Sequence, residues 1–495
     1  MRIEKFLEEA ARVSPGKLAV IDHDDRHYDW AAMLEGARQM AEALAARGVG
    51  KGDRVLIILE NSAVAIATIF GASMLGAMAS PVNARLTAPE LQTLVEKSDA
   101  SAVVFTVETG KWPAEHAAHW AGEPVETSVG SVAIAARAGA QPEPGGEEIA
   151  ILLFTSGTTG TPKGAMLGQA GWVDSAEASR SIRSMTEDDL LYLALPMSHV
   201  FGLAMVLSCT KARSVLRLES RFDVARAHAA LKEGVTVLPA VPQMHAHIFA
   251  YAREHGMERY KDGPLRYVSS GGAPLDPVWK REAEAFYGLP LQNGYGMTES
   301  SSGVAATRSK MGDPDCSVGL PMLGSELRVN LEAPGADPEK GVGEVEIRGT
   351  QIMKGYFRDP EATAAVMDGD WFRSGDLGRF DDEGRLHLVG RTKELIIHSG
   401  FNVYPAEVEA ALTEHKGVVL AAVVGRQVEG NEEVVAFVTP AKGADLDEEG
   451  LRGFMKERVA PYKVPKRIVI ADSLPQAPTG KILKAQLLGH FADRL

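Results

Sequence analysis

Thr155-Ser156-Gly157-Thr158-Thr159-Gly160-Thr161-Pro162-Lys163-Gly164 follows directly on Ile149–Phe154, an apolar run that reads as a buried strand. Glycines let successive backbone N–H groups turn toward an anion, and hydroxyls with one lysine add further donors. A flexible surface loop is the plain alternative. Five hydroxyl residues and Lys163 within ten positions favour a phosphate-holding loop. It is not a Walker A sequence, because Lys163 is followed by Gly164 and no glycine immediately precedes it.

Four further blocks lie downstream. In Asn293-Gly294-Tyr295-Gly296-Met297-Thr298-Glu299 a tyrosine can lie on a base, a threonine can donate to a phosphate and a carboxylate can hold Mg²⁺. Taken alone, it reads equally as a turn with a core tyrosine. Phe372-Arg373-Ser374-Gly375-Asp376 places a carboxylate at a strand start, suited to two vicinal ribose hydroxyls; an Asp turn is the commoner fate of Gly-Asp. Gly390-Arg391-Thr392-Lys393 leads into Gly400-Phe401-Asn402 and Pro405-Ala406-Glu407. Pro478-Thr479-Gly480-Lys481 presents a lysine on a turn, either a mobile cation or an ordinary solvated side chain.

At 495 residues the chain exceeds one ordinary core, so two or more domains are expected. Its 45% hydrophobic and 24% charged residues fit a globular protein. A formal charge of −14 argues against a general nucleic-acid or anionic-membrane binder. Cys209 and Cys316 form no Cys-x-x-Cys pair, which disfavours a disulfide framework or a structural zinc site. The first residues lack a secretory pattern, and the cytoplasm is the expected location. Ala63–Val82 carries no charge and is long enough to span a bilayer. Its Ala, Gly, Ser and Thr content favours a buried helix followed by a core strand.

Helix–strand alternation over Trp30–Leu59 and Leu91–Val104 suggests mostly parallel α/β layers. Strands are expected at Leu190–Leu195, Val235–Leu238 and Leu265–Ser269, with a β-rich region from Leu327. A last α/β pattern includes a helix over Pro405–Leu412 and another over Asp447–Val459. The fold class is α/β. Residues 1–390 form a large N-terminal domain of layered α/β subdomains plus a β-rich subdomain. Residues 394–495 are long enough for a separate small α+β C-terminal domain.

The five blocks, in this order and at these separations, resemble the adenylate-forming superfamily of acyl- and aryl-CoA synthetases, peptide adenylation domains and firefly luciferase. The resemblance covers essentially the whole chain and is nearest to fatty-, aryl- and short-chain acyl-CoA ligases. It implies ATP, Mg²⁺ and coenzyme A, a ligase acting through an acyl-adenylate, and a small carboxylic acid as partner; a homodimer is the candidate assembly. Thr155, Ser156, Gly157, Thr158, Thr159, Gly160 and Lys163 would hold phosphates, and Gly271, Gly272 and Ala273 would line the adenine pocket. Asn293, Gly294, Tyr295, Gly296 and Thr298 would form the nucleotide loop, with Tyr295 on the base and Thr298 at the α-phosphate. Glu299, with Thr155, would hold Mg²⁺; Asp376 and Arg391 would hold the ribose. Lys481 would bridge carboxylate and α-phosphate, and acetylation there would remove the needed charge. The resemblance also implies that the C-terminal domain is mobile about a hinge at 391–393, where Lys393 stands at a position that carries Asp or Lys in relatives. Gly400 and Phe401 would line the path of CoA.

The resemblance places the acid between Pro196–Gly202 and the Tyr295 loop. No acidic residue stands from Leu191 to Arg217 to pair a substrate amine, which argues against a free amino acid. His247 follows Val241-Pro242 where dicarboxylate-activating relatives carry Arg, which disfavours a malonate-type acid. Phe201, Met244 and Val304 are apolar and favour an uncharged aliphatic or aromatic tail, as in fatty acid metabolism. His199 would gate or contact the acid. His199, His245 and His247 lack the further ligands of a metal cluster. The alternatives are an acyl-AMP ligase loading a carrier protein, whose usual insertion is not evident, a dicarboxylate–CoA ligase and a luciferase-like oxygenase.

Overall fold

The strand Arg54–Leu59, apolar from Val55 on, is buried at every position and pairs in parallel with Met78–Asn83 and Ala102–Phe105. The computed structural model describes residues 1–155, 162–260, 263–272, 275–398, 401–428, 431–441, 443–476 and 482–495. Among these, Arg54–Leu59 lies inside a seven-stranded sheet whose one edge is the antiparallel hairpin of Ile149–Thr155 and Lys163–Gly168. A nine-stranded sheet stands beside it, and Leu190–Leu193, Val237–Ala240, Tyr267–Ser270 and Leu291–Met297 run parallel at adjacent positions within it. Two of these strands start two residues later than expected. Asp189 anchors their entries, accepting from the Thr236 hydroxyl at 2.7 Å and from Arg266 Nε at 2.7 Å.

The uncharged stretch resolves into the helix Ala63–Met74 and the strand Met78–Asn83. Residues 63–73 are all buried, and the Ser62 side chain caps the helix by accepting from Ala65 N–H. Small residues serve close packing: a Cβ on Gly71 would stand 2.7 Å from the Ala37 carbonyl of the helix Trp30–Ala45. Among the described residues no helix is long and apolar enough to cross a membrane.

From Ser325 an antiparallel sheet follows, in which Trp371–Phe380 pairs with both Gly343–Gly349 and Leu386–Arg391. Beyond it, Val418–Val428, Asn431–Pro440 and Arg467–Ile470 form a three-stranded sheet. Val408, Leu412, Val423, Val438, Leu451 and Met455 give this last part its own core. It meets the larger part through the Tyr404 hydroxyl, donating to the Gly335 carbonyl at 3.1 Å, and through Thr413, donating to Asp276 at 3.4 Å. The helix expected over Asp447–Val459 spans Glu448–Lys456; the Asp447 side chain caps it by accepting from Gly450 N–H.

Candidate active site

The four parallel strands Leu190–Leu193, Val237–Ala240, Tyr267–Ser270 and Leu291–Met297 end at one edge of their sheet. Their carboxyl ends release the chain into Pro196–His199, Val241, Gly271–Gly272 and Thr298–Glu299 respectively. Ligands of open α/β sheets bind outside such ends.

Three expected nucleotide residues form one chain of bonds. Tyr295 is buried, and its hydroxyl donates to Asp376 Oδ2 at 2.6 Å. Asp376 Oδ1 meets Arg391 Nε at 2.9 Å, because the two residues face each other across antiparallel strands. Burial, reinforced by the Asp376 carboxylate, raises the Tyr295 hydroxyl well above its ordinary pKa, so it stays a donor. Asp376 in turn holds the Arg391 guanidinium firmly charged. Asn293 serves the frame: its amide donates to the Ser317 carbonyl at 3.0 Å, and its backbone N–H donates to Thr307 at 2.8 Å. Gly294 has room for little, with the Ala305 carbonyl 3.3 Å from a Cβ there. Gly296 has none: a Cβ would stand 1.9 Å from the Ser302 carbonyl. Ser302 has φ of +108°, a conformation that favours glycine, and it lies just beyond the short helical turn Thr298–Ser300.

A second group gathers around Glu299. The Tyr356 hydroxyl donates to Glu299 Oε1 at 2.8 Å, while Met353 N–H donates to the Glu299 carbonyl at 2.7 Å. Lys163 Nζ lies 5.1 Å from the centre of the Tyr356 ring. Burial and the Glu299 charge raise the Tyr356 hydroxyl, which keeps it donating. Phe357 N–H donates to the Gly164 carbonyl at 2.7 Å and ties this segment to the hairpin. Sequence reasoning passed over Tyr356. Its signal was the pair Gly355-Tyr356, with Gly355 at φ of +133°, ahead of the Asp359-Pro360 turn. Thr155 and Lys163 are paired strand residues at the base of the hairpin. Ser156, Gly157, Thr158, Thr159 and Gly160 lie outside the described residues, as do Ala273, Gly400 and Lys481. The Glu299 carboxylate, oriented by Tyr356, offers the oxygen donors that suit Mg²⁺; the Thr155 hydroxyl instead lies 3.5 Å from the Lys163 carbonyl.

The expected acid-facing residues are differently arranged. His199 precedes the helix Val200–Ala212, and its Nδ1 accepts from Phe201 N–H at 3.4 Å. The Phe201 ring lies against Gly271, 3.0 Å from where a Cβ would stand, and Val241 packs 3.8 Å from the same position on Gly272. Met244 and Val304 are buried in the main core. His247 is exposed and stacks on Phe222 at 6.1 Å. Its neighbour His245 turns inward: one ring nitrogen meets the Tyr287 hydroxyl at 2.9 Å, the other the Ser269 carbonyl at 3.2 Å. Burial pushes its pKa down to about 4. Lys393 is exposed on the short turn Thr392–Glu394. Phe401 is exposed and stacks on Tyr462 at 4.5 Å.

A polar loop edge on parallel strands, backed by the Tyr295–Asp376–Arg391 chain, suits an α/β enzyme that uses a nucleotide. Residues 7–357 match the family model of AMP-binding enzymes, and 407–481 match that of the AMP-binding enzyme C-terminal domain. The chain is 35% identical to a 2-succinylbenzoate–CoA ligase of Geobacillus kaustophilus, covering 97% of this chain and 96% of that one. It is 33% identical to a long-chain-fatty-acid–CoA ligase of Mycobacterium tuberculosis, covering 98% of each. The o-succinylbenzoate–CoA synthetase of Bacillus subtilis, solved with ATP and magnesium, superposes with a TM-score of 0.83 at 29% identity, over 97% of this chain and 98% of that one. The chain belongs to the AMP-binding enzyme family.

Proposed function

We propose that the protein is an ATP-dependent carboxylate–CoA ligase acting through an acyl-adenylate. It is an acid–thiol ligase of the AMP-forming class, with ATP and CoA as co-substrates and Mg²⁺ as cofactor. The reading is carried by the bonded chain Tyr295–Asp376–Arg391 on the same loop edge as Thr298 and Glu299. In this reading Asp376 and Arg391 hold the ribose, Tyr295 faces the base, and Thr298 and Lys163 meet the phosphates.

In the first step a carboxylate oxygen of the acid bonds to the α-phosphorus while the bond to pyrophosphate breaks. Both partners are anionic, so the protein's task is chiefly charge neutralisation and alignment. Lys163 and Lys481 bring positive charge to that contact. Glu299 and Thr155 would hold Mg²⁺, which would supply further positive charge there. In the second step the CoA sulfur, its proton lost to solvent, bonds to the acyl carbon as AMP leaves. Residues 394–495 turn about 391–393 between the steps, withdrawing Lys481 and bringing Gly400 and Phe401 toward the thiol.

The apolar character of Phe201, Met244 and Val304 supports an acid with an uncharged aliphatic or aromatic tail, since an unpaired charge there would be costly. His199 contacts the acid. A panel of octanoate, ferulate and 2-succinylbenzoate, assayed for AMP and pyrophosphate with and without CoA, tests the reading. CoA-dependent AMP release is expected. Pyrophosphate exchange without acyl-CoA would move the acceptor to a carrier protein, and no acid-dependent pyrophosphate release from any acid would overturn the reaction. With Lys481→Ala, adenylation should fall about 10²–10³-fold while thioester formation from supplied acyl-AMP is largely kept; equal losses would remove the assigned role. A cytoplasmic homodimer belongs to the same proposal, and sedimentation velocity reads the assembly.

A further inference from the structure

The seven-stranded sheet reaches the acid side of the nine-stranded one through the turn that follows Arg54–Leu59. Glu60, Asn61 and Ala63 each cross the junction. Glu60 accepts from Arg221 Nε at 2.9 Å, and Ala63 N–H donates to Asp22 at 3.1 Å. Asn61 does something different from its neighbours. It is 2% exposed, and its amide makes two bonds to backbone on one short segment: Nδ2 donates to the Leu195 carbonyl at 2.9 Å, and Oδ1 accepts from Met197 N–H at 2.8 Å. These partners lie 134 and 136 positions away in the chain.

That segment begins where the strand Leu190–Leu193 has already ended, so no neighbouring strand continues the pairing at Leu195 and Met197. Both residues are buried, and an orphaned backbone group there carries the full desolvation cost. An amide side chain presents one donor and one acceptor side by side, as a strand edge does, and only one orientation of Asn61 satisfies both contacts. The rest of the turn follows from this anchor. His199 N–H donates to the Pro196 carbonyl at 3.0 Å, and Gly202 passes so close that a Cβ would stand 2.2 Å from that same oxygen. Leu195–Gly202 is thus a tightly wound unit, anchored by Asn61 at its start and delivering His199 and Phe201 at its end.

We propose that Asn61 is a positioning residue for the acid site, setting where His199 and Phe201 meet the substrate although it touches neither; this rests on the proposed reading of that site. A displacement of about 1 Å at a reacting group can lower turnover about 10²-fold. Asn61→Ala should therefore raise KM for the acid and lower kcat, a combined loss of about 10–100-fold in kcat/KM for the acid, with KM for ATP changed less than about two-fold. Asn61→Asp keeps the acceptor for Met197 but turns an oxygen toward the Leu195 carbonyl, and should show the same split.

The test measures both KM values and the melting temperature for Asn61→Ala, Asn61→Asp and Arg221→Ala, using the fastest acid among octanoate, ferulate and 2-succinylbenzoate. Arg221→Ala cuts the adjacent crossing without touching Leu195 or Met197. It should lower the melting temperature while leaving KM for the acid in place. If Asn61→Ala does not fold, Asn61→Asp and Asn61→Ser carry the comparison. The proposal is overturned if the Asn61 variants move both KM values together, move neither, or match Arg221→Ala. His199→Ala and Phe201→Ala are run alongside. If they shift the acid KM and the Asn61 variants do not, Asn61 alone loses its role; if they too leave it unchanged, the acid-site reading falls and the positioning role falls with it.

Discussion

The proposed nucleotide end and the proposed acid end of the site are built by different means. At the first, charged and phenolic side chains bond to one another: Tyr295 to Asp376, Asp376 to Arg391, Tyr356 to Glu299. At the second, side chains are placed by backbone. Phe201 lies against Gly271, His199 is set by the turn after Leu190–Leu193, and Asn61 grips main-chain atoms. Fixed charges suit a partner whose phosphates and ribose never vary. A wall shaped by packing can be re-cut by one or two residues for another acid.

The two ends should therefore respond separately to substitution. The largest effect is expected at Asp376→Ala, which strips partners from both Tyr295 and Arg391. The expected loss is about 10²-fold in kcat/KM for ATP with little change in KM for the acid, read by steady-state kinetics. A dominant shift in the acid KM would erase the contrast. Phe201→Ala should change the ranking of acids in favour of bulkier tails by roughly 10-fold in kcat/KM, with ATP untouched; an unaltered ranking would place the acid elsewhere. The smallest effect on turnover is expected at His245, beneath the acid end. Its folded pKa of about 4 lies below the ordinary 6.5, so the unfolded chain binds a proton the native one refuses. Stability should fall as pH drops from about 6.5 toward 4, by on the order of 3 kcal/mol over that window, and hold above it. Urea unfolding of the parent and of His245→Phe at several pH values checks this, the variant showing the shallower slope.

The residues proposed for the nucleotide end were legible in the sequence because their chemistry resides in residue type. Asp376, Arg391, Thr298 and Glu299 stand in short strings bounded by glycine, and the first two fall in the β-rich region expected from Leu327. What joins them was not readable. The antiparallel register that sets Asp376 opposite Arg391 is a tertiary choice. Tyr356 meets Glu299 across 57 positions, and Asn61 meets Leu195 across 134. An asparagine bonding to backbone leaves no pattern at its partners, since any residue offers the same N–H and C=O. The strand Arg54–Leu59 closes the alternation expected over Trp30–Leu59, because the uninterrupted apolar run Val55–Leu59 meets Arg54 on one side and Glu60 on the other. Strand starts near Thr236 and Arg266 slipped because Asp189, distant in sequence, decides them.

The close pass of Gly296 under the Ser302 carbonyl has a meaning for variation. Every side chain other than hydrogen is shut out at that point, so the turn bearing Thr298 and Glu299 has no neighbouring shapes to drift into. Libraries that randomise this turn will return mostly dead clones. On the proposed reading, those that randomise the surroundings of Phe201 should return enzymes with altered acid preference, which makes the acid end the evolvable half of the site.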